Sequence, residues 1–184
     1  MTWRNTYRTL SFAMAIRILL TGEPGCGKTT VIEKVLELYS GLAGGFITRE
    51  VRKAGRRFGF ELISLDGRRG TLASVDFESE LRVGKYRVDI QILDSIGVDA
   101  IKKSFSAGEL IVIDEIGSME ILSDLFCRTV KRIFTSEIDL IGTISRRNHP
   151  FLNEIKKLPA IELIRVDHNN RDELVGLILS KLMR

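Results

Sequence analysis

Apolar residues along this chain change spacing repeatedly, and each change marks a boundary between strand and helix. Ile16, Ile18, Leu19 and Leu20 form a short run without alternation that ends at Thr21, the pattern of a strand covered on both faces. Val31, Ile32, Val35, Leu36 and Tyr39 then recur at helical spacing until Ser40-Gly41 stops them. Gly44 to Thr48 reads as a strand, and Phe58 to Leu65 alternates as a half-exposed hairpin strand closed by the Asp66-Gly67 turn. Leu93, Ile96, Ala100, Ile101 and Phe105 predict a helix over 89–105, interrupted at Gly97 and left through Ser106-Ala107-Gly108. Leu110 to Ile113 is a second covered strand, followed by a helical stripe of Met119, Leu122, Phe126, Val130 and Ile133. A strand over 138–144, a helix from His149-Pro150 through Lys157, a strand over 161–166 and a last helix capped by Asn170 complete the chain. The alternation of strand and helix predicts an α/β fold of three layers. Its sheet is mainly parallel with helices on both faces, and 51–70 adds a small antiparallel hairpin.

Composition narrows the class. The 184 residues are 44% hydrophobic, enough for a packed core, which excludes a disordered chain and a disulfide-stapled miniprotein. Cys26 and Cys127 stand about a hundred residues apart with no C-x-x-C, so neither a zinc cage nor a disulfide framework is expected and the compartment reads as reducing and cytoplasmic. Mean hydropathy is +0.06, yet no apolar run reaches the roughly 18 residues that span hydrocarbon, so no membrane partner is expected. Residues 1–13 carry Arg4 and Arg8, several Ser and Thr and no acid; they read as a short arm ahead of a single domain over 14–184. The formal net charge is +4, and 51–70 alone holds Arg52, Lys53, Arg56, Arg57, Arg68 and Arg69 against Glu61 and Asp66. Without aromatics interleaved at regular spacing this stretch reads as a solvated antiparallel extension rather than a nucleic-acid surface.

The chemistry is concentrated between the first strand and the first helix. Gly22-Glu23-Pro24-Gly25-Cys26-Gly27-Lys28-Thr29 satisfies G-x-x-x-x-G-K-[ST] in the required context. Glycines let successive N–H groups turn inward around phosphate oxygens, and the helix that follows adds unpaired N–H groups and the positive end of its dipole. Lys28 is placed to reach the β- and γ-phosphates, Thr29 to ligate Mg²⁺, and Cys26 to contribute only backbone. The metal needs a carboxylate at the end of a neighbouring strand, and Leu110-Ile111-Val112-Ile113-Asp114-Glu115 supplies one: Asp114 for Mg²⁺, with Glu115 next to it to orient and deprotonate a water. Asp114-Glu115-Ile116-Gly117 also satisfies D-x-x-G, but the chain contains no N-K-x-D guanine reader; Asn169-Asn170-Arg171-Asp172 lacks the lysine. Thr143 and Ser145 at the next strand exit are candidates to sense the γ-phosphate, and Arg146 or Arg147 to act as an arginine in cis; His149 and His168 are assigned no catalytic role.

Several blocks taken together resemble the P-loop nucleoside-triphosphatases known from thermophiles and from the cancer-related nucleoside triphosphatase: 22–30 (GEPGCGKTT), 45–52 (GFITREVR), 83–89 (VGKYRVD), 114–120 (DEIGSME) and Asn170-Arg171. The resemblance covers 14–184. It implies a RecA-like P-loop core with an additional strand, and Mg²⁺-dependent hydrolysis of ATP, GTP and other nucleoside triphosphates with broad base tolerance. It extends the nucleotide contacts to Thr30 and to Gly117. Where the family often carries proline, this chain has Ser145. With no assured arginine finger, slow turnover is expected. A nucleotide or small-molecule kinase and a nucleotide-gated nucleic-acid binder are the competing readings.

Overall fold

The computed structural model describes residues 15–183, so the arm read over 1–13 lies outside the described residues. One nine-stranded sheet organises them. In chain order its strands are β1 (Arg17–Thr21), β2 (Ala43–Lys53), β3 (Arg56–Ser64), β4 (Arg69–Ser74), β5 (Arg82–Val83), β6 (Tyr86–Val88), β7 (Leu110–Ile116), β8 (Leu140–Ile144) and β9 (Glu162–Arg165). Across the sheet the order is β5-β6-β4-β3-β2-β7-β8-β1-β9. The five strands from β2 to β9 are parallel, and the four from β3 outward continue the same sheet antiparallel. The expected hairpin is therefore larger than its sequence suggested.

The helices are α1 (Lys28–Leu38), α2 (Ile90–Ile92), α3 (Asp99–Ala107), α4 (Asp124–Phe134), α5 (Pro150–Lys156) and α6 (Arg171–Leu182). Because successive side chains of a strand point to opposite faces, each unalternated apolar run divides between two cores. Ile18 and Leu20 face the layer of α1 and α6 with Val31, Val35 and Ile178; Leu19 faces the opposite layer with Phe46, Ile101 and Phe126. In β7, Val112 goes to the first core and Ile111 and Ile113 to the second.

Several boundaries differ from the sequence reading, each for a local reason. The interruption at Gly97 is a π-helical segment, Leu93–Val98, joining α2 to α3; a Cβ on Gly97 would lie 3.0 Å from Leu62 and 3.1 Å from Phe46, so the widened turn lets the backbone close on the sheet. The stripe from Met119 to Ile133 is not one helix. Glu120–Leu122 is a 3₁₀ turn, and α4 starts only after Ser123, whose hydroxyl accepts the Phe126 N–H. Asn170 precedes α6 but does not cap it, since its side-chain oxygen accepts the Asp167 N–H instead.

The basic stretch is largely neutralised within the extension. Arg52 and Arg57 pair with Glu50, Arg68 with Asp66 and Asp99, and Lys53 lies 3.4 Å above the Phe58 ring. These contacts favour a solvated extension over a continuous cationic surface. No helix among the described residues is long and apolar enough to cross a membrane.

Candidate active site

The chain leaves β1 at Thr21 and enters a loop that the packing restricts to glycine at its first position. A Cβ on Gly22 would meet the Val166 carbonyl oxygen at 2.5 Å and the Cys26 sulfur at 2.8 Å. At the other end Gly27 precedes α1 with φ 103°, a left-handed conformation that L side chains rarely adopt. The Cys26 side chain is buried beneath the loop, leaving its backbone for any ligand. Lys28 Nζ reaches back to the carbonyls of Gly22 and Glu23, 3.2 Å from each, so its ammonium lies across the loop mouth. Thr30, exposed in the first turn of α1, lines the same cleft as Pro24, Gly25 and Thr29.

The acidic pair at the end of β7 faces this loop. Thr29 Oγ1 donates to Asp114 Oδ2 at 2.6 Å, and Thr143 Oγ1 donates to Asp114 Oδ1 at 2.5 Å. Asp114 is only 2% exposed. Its strand is not the immediate neighbour of β1, as the sequence reading had supposed: β8 lies between them, and Thr143 of that strand fills the gap by bonding the carboxylate. The pairing of β7 with β8 shifts register between Ile113 and Ile116, and the Asp114–Glu115 peptide is cis. Burial holds the Asp114 carboxyl above its usual range, against the opposing hydrogen bonds from Thr143 and Thr29. Burial likewise raises Glu115, with Lys28 opposing, which brings it toward what a base near neutral pH requires.

An oxygen-donor cation fits this geometry. The Thr29 hydroxyl spends its proton on Asp114 and retains lone pairs, and a hydroxyl beside one carboxylate matches the sparse protein donor set typical of Mg²⁺, which draws its other ligands from phosphate and water. The described residues contain no group of three or more His, Cys, Asp or Glu that could hold a metal alone.

One acid, the last residue of the 114–120 block, has no role in the sequence reading. Glu120 is 5% exposed and accepts the Gly117 N–H at 3.1 Å. In the sequence it lies between the apolar Met119 and Ile121 and looks like a solvent-facing position; only the 3₁₀ turn folds it inward. Burial, reinforced by the neighbouring Glu115 charge, pushes its carboxyl up to about 8. Gly117 separates the two acids, and a Cβ there would lie 2.8 Å from Glu115 Oε1 and 3.0 Å from Glu120 Oε2. A carboxyl raised in the folded state stabilises the fold fully below its unfolded value and loses that contribution as pH climbs through the folded one. The melting temperature of the nucleotide-free protein should therefore fall between about pH 5 and pH 8, and Glu120→Gln should flatten that slope. An unchanged slope in calorimetry would place the burden on other groups.

The cleft above these residues measures about 470 Å³ and runs from the P-loop to Thr48 and Glu50 of β2 and to Arg57 and Phe60 of β3, none of which the sequence reading placed in the site. A second cleft, of about 450 Å³, adjoins it on the side of Glu23 and Arg146, which form an ion pair. Ser145 and Arg147 line both.

A sequence model of the NTPase family matches residues 17–179 of this chain. This chain belongs to that family. Among its NTPase relatives, the nucleoside-triphosphatase THEP1 of Thermotoga sp. (strain RQ2) is 45% identical over 167 residues, covering 91% of this chain and 95% of the relative. The crystal structure of THEP1 from Aquifex aeolicus superposes with a TM-score of 0.85 at 36% identity, over 92% of this chain and all of that one. The solution structure of a human cancer-related nucleoside triphosphatase gives 0.77 at 34% identity, over 91% and 97%. Both structures share the α/β P-loop architecture of this NTPase.

Proposed function

We propose that this chain hydrolyses nucleoside triphosphates to the diphosphate and phosphate, with Mg²⁺, broad base tolerance and slow turnover. The observation that carries the reading is the 2.6 Å bond from Thr29 to Asp114, which joins the head of α1 to the carboxyl end of β7 and leaves Glu115 beside the loop that would hold the γ-phosphate. The backbone from Gly22 to Thr29 and the Lys28 ammonium bind the phosphate tail. Thr29 and Asp114 would hold Mg²⁺, which when bound neutralises charge on the β- and γ-oxygens. Glu115 orients a water and accepts its proton as the oxygen attacks phosphorus. Base tolerance is supported by the want of an N-K-x-D reader in the sequence, and by names among the relatives that specify nucleoside triphosphates without a base.

A phosphate-release panel of ATP, GTP, CTP and UTP tests this, with Mg²⁺ and with EDTA. Rates within about tenfold of one another, all abolished by EDTA, are expected, since a site that hydrogen-bonded one base would discriminate by far more. Turnover of a single base, or turnover indifferent to EDTA, would refute the specific form proposed.

A further inference from the structure

We infer that Arg147 is the arginine this chain brings to the γ-phosphate, an assignment that rests on the hydrolase reading and separates two candidates the sequence leaves equal. Arg146 and Arg147 follow one another out of β8, but their surroundings differ. The Arg146 guanidinium pairs with Glu23 of the P-loop, so its charge is already spent and its contact ties the β8 exit to the loop. Arg147 makes no ion pair among the described residues. The residues common to both clefts are Pro24, Lys28, Glu115, Ser145 and Arg147, so the residue carrying the uncommitted guanidinium lines the junction of the clefts together with the loop lysine and the water-activating acid.

The backbone of Arg147 is held, while its side chain makes no hydrogen bond or ion pair among the described residues. Its N–H donates to Ser145 Oγ at 3.4 Å, and its carbonyl accepts from Lys156 Nζ of α5 at 3.3 Å. In the reaction, water oxygen bonds to the γ-phosphorus, the bond from that phosphorus to the β–γ bridging oxygen breaks, Glu115 takes the water proton, and the nucleoside diphosphate leaves with the bonding pair. Negative charge spreads over the equatorial and bridging oxygens, and a planar guanidinium with two parallel N–H donors fits them better than an ammonium. Slow turnover would not count against a cis arginine, because GTPases that carry theirs in cis still turn over at only about 10⁻² s⁻¹.

The test compares Arg147→Ala, Arg147→Lys and Arg146→Ala in the full chain by steady-state hydrolysis, by chemical rescue and by the melting shift with ADP plus aluminium fluoride, a mimic of the transferring phosphoryl group. Arg147→Ala should lose about a hundredfold or more in kcat with KM within about threefold, the signature of an interaction made in the transition state. It should also lose the extra melting shift from fluoride while keeping that from ADP, and recover part of its rate in millimolar guanidinium. A packing defect would not produce that recovery. Arg147→Lys should retain an intermediate rate. Arg146→Ala should act on KM, without rescue. Wild-type kcat and fluoride response in Arg147→Ala, or a kcat loss and rescue that follow Arg146 instead, would overturn the assignment. A parent protein that releases no phosphate would instead defeat the hydrolase reading.

Discussion

Glu115→Gln should stop phosphate release while leaving nucleotide binding intact. The substitution keeps the volume and planarity of the side chain, so the end of β7 and the Gly117 turn against which it packs are preserved. What disappears is the proton acceptor. A positioned base contributes about 10²–10⁴-fold, and single-turnover release should fall by about 10³. Binding moves in the opposite direction if it moves at all, because a carboxylate near Lys28 repels an incoming triphosphate and the amide does not. The dissociation constant of a fluorescent nucleotide should be unchanged or lower. A further consequence follows at Glu120, whose carboxyl is raised in part by the Glu115 charge. In Glu115→Gln the loss of melting temperature between about pH 5 and pH 8 should be shallower. Wild-type release by the variant would remove Glu115 from the mechanism.

The P-loop was legible because backbone geometry writes itself into side-chain identity. Gly22 has no room for a Cβ and Gly27 needs a left-handed φ, so the loop leaves glycine at fixed spacing wherever it occurs. Asp114 and Glu115 were legible for a different reason: an apolar run ending in two acids has its carboxyl end at the sheet edge where ligands collect. Strand order was less accessible, because periodicity says how many strands there are but not which lie side by side. β8 therefore entered unseen between β1 and β7, and with it the Thr143 bond that completes the coordination of Asp114. Glu120 was hidden by the same limit at smaller scale, since its burial is produced by a 3₁₀ turn that breaks the helical period in which it would have faced water. β5 and β6 are too short for any periodic signal, at two and three residues, and only Gly84 with φ 61° marks the turn between them.

Asp114→Asn should separate stability from activity in opposite directions. At neutral pH the native Asp114 carboxyl is buried to 2% exposure, and burial outweighs its hydrogen bonds in setting its proton affinity above the usual carboxylate value. The fold is accordingly most favoured with this group neutral, and that contribution is lost as pH rises through the folded value. Asparagine is neutral at every pH and keeps the side-chain shape; its oxygen can accept from one of Thr29 and Thr143, and the other hydroxyl can rotate to accept from the amide. The nucleotide-free variant should melt no lower than the parent at pH 7, and its margin should widen rather than shrink as pH rises. Catalysis should collapse over the same range. Holding a cation on the phosphates is worth several kcal/mol of transition-state charge stabilisation, and an amide oxygen in place of the carboxylate should cut turnover by about 10³ or more. Calorimetry across pH, paired with phosphate release at rising Mg²⁺, reads both effects on one sample. A variant that loses stability in parallel with activity would show that Asp114 acts as a structural anchor between α1 and β7, whereas one that retains turnover would place the metal elsewhere in the cleft.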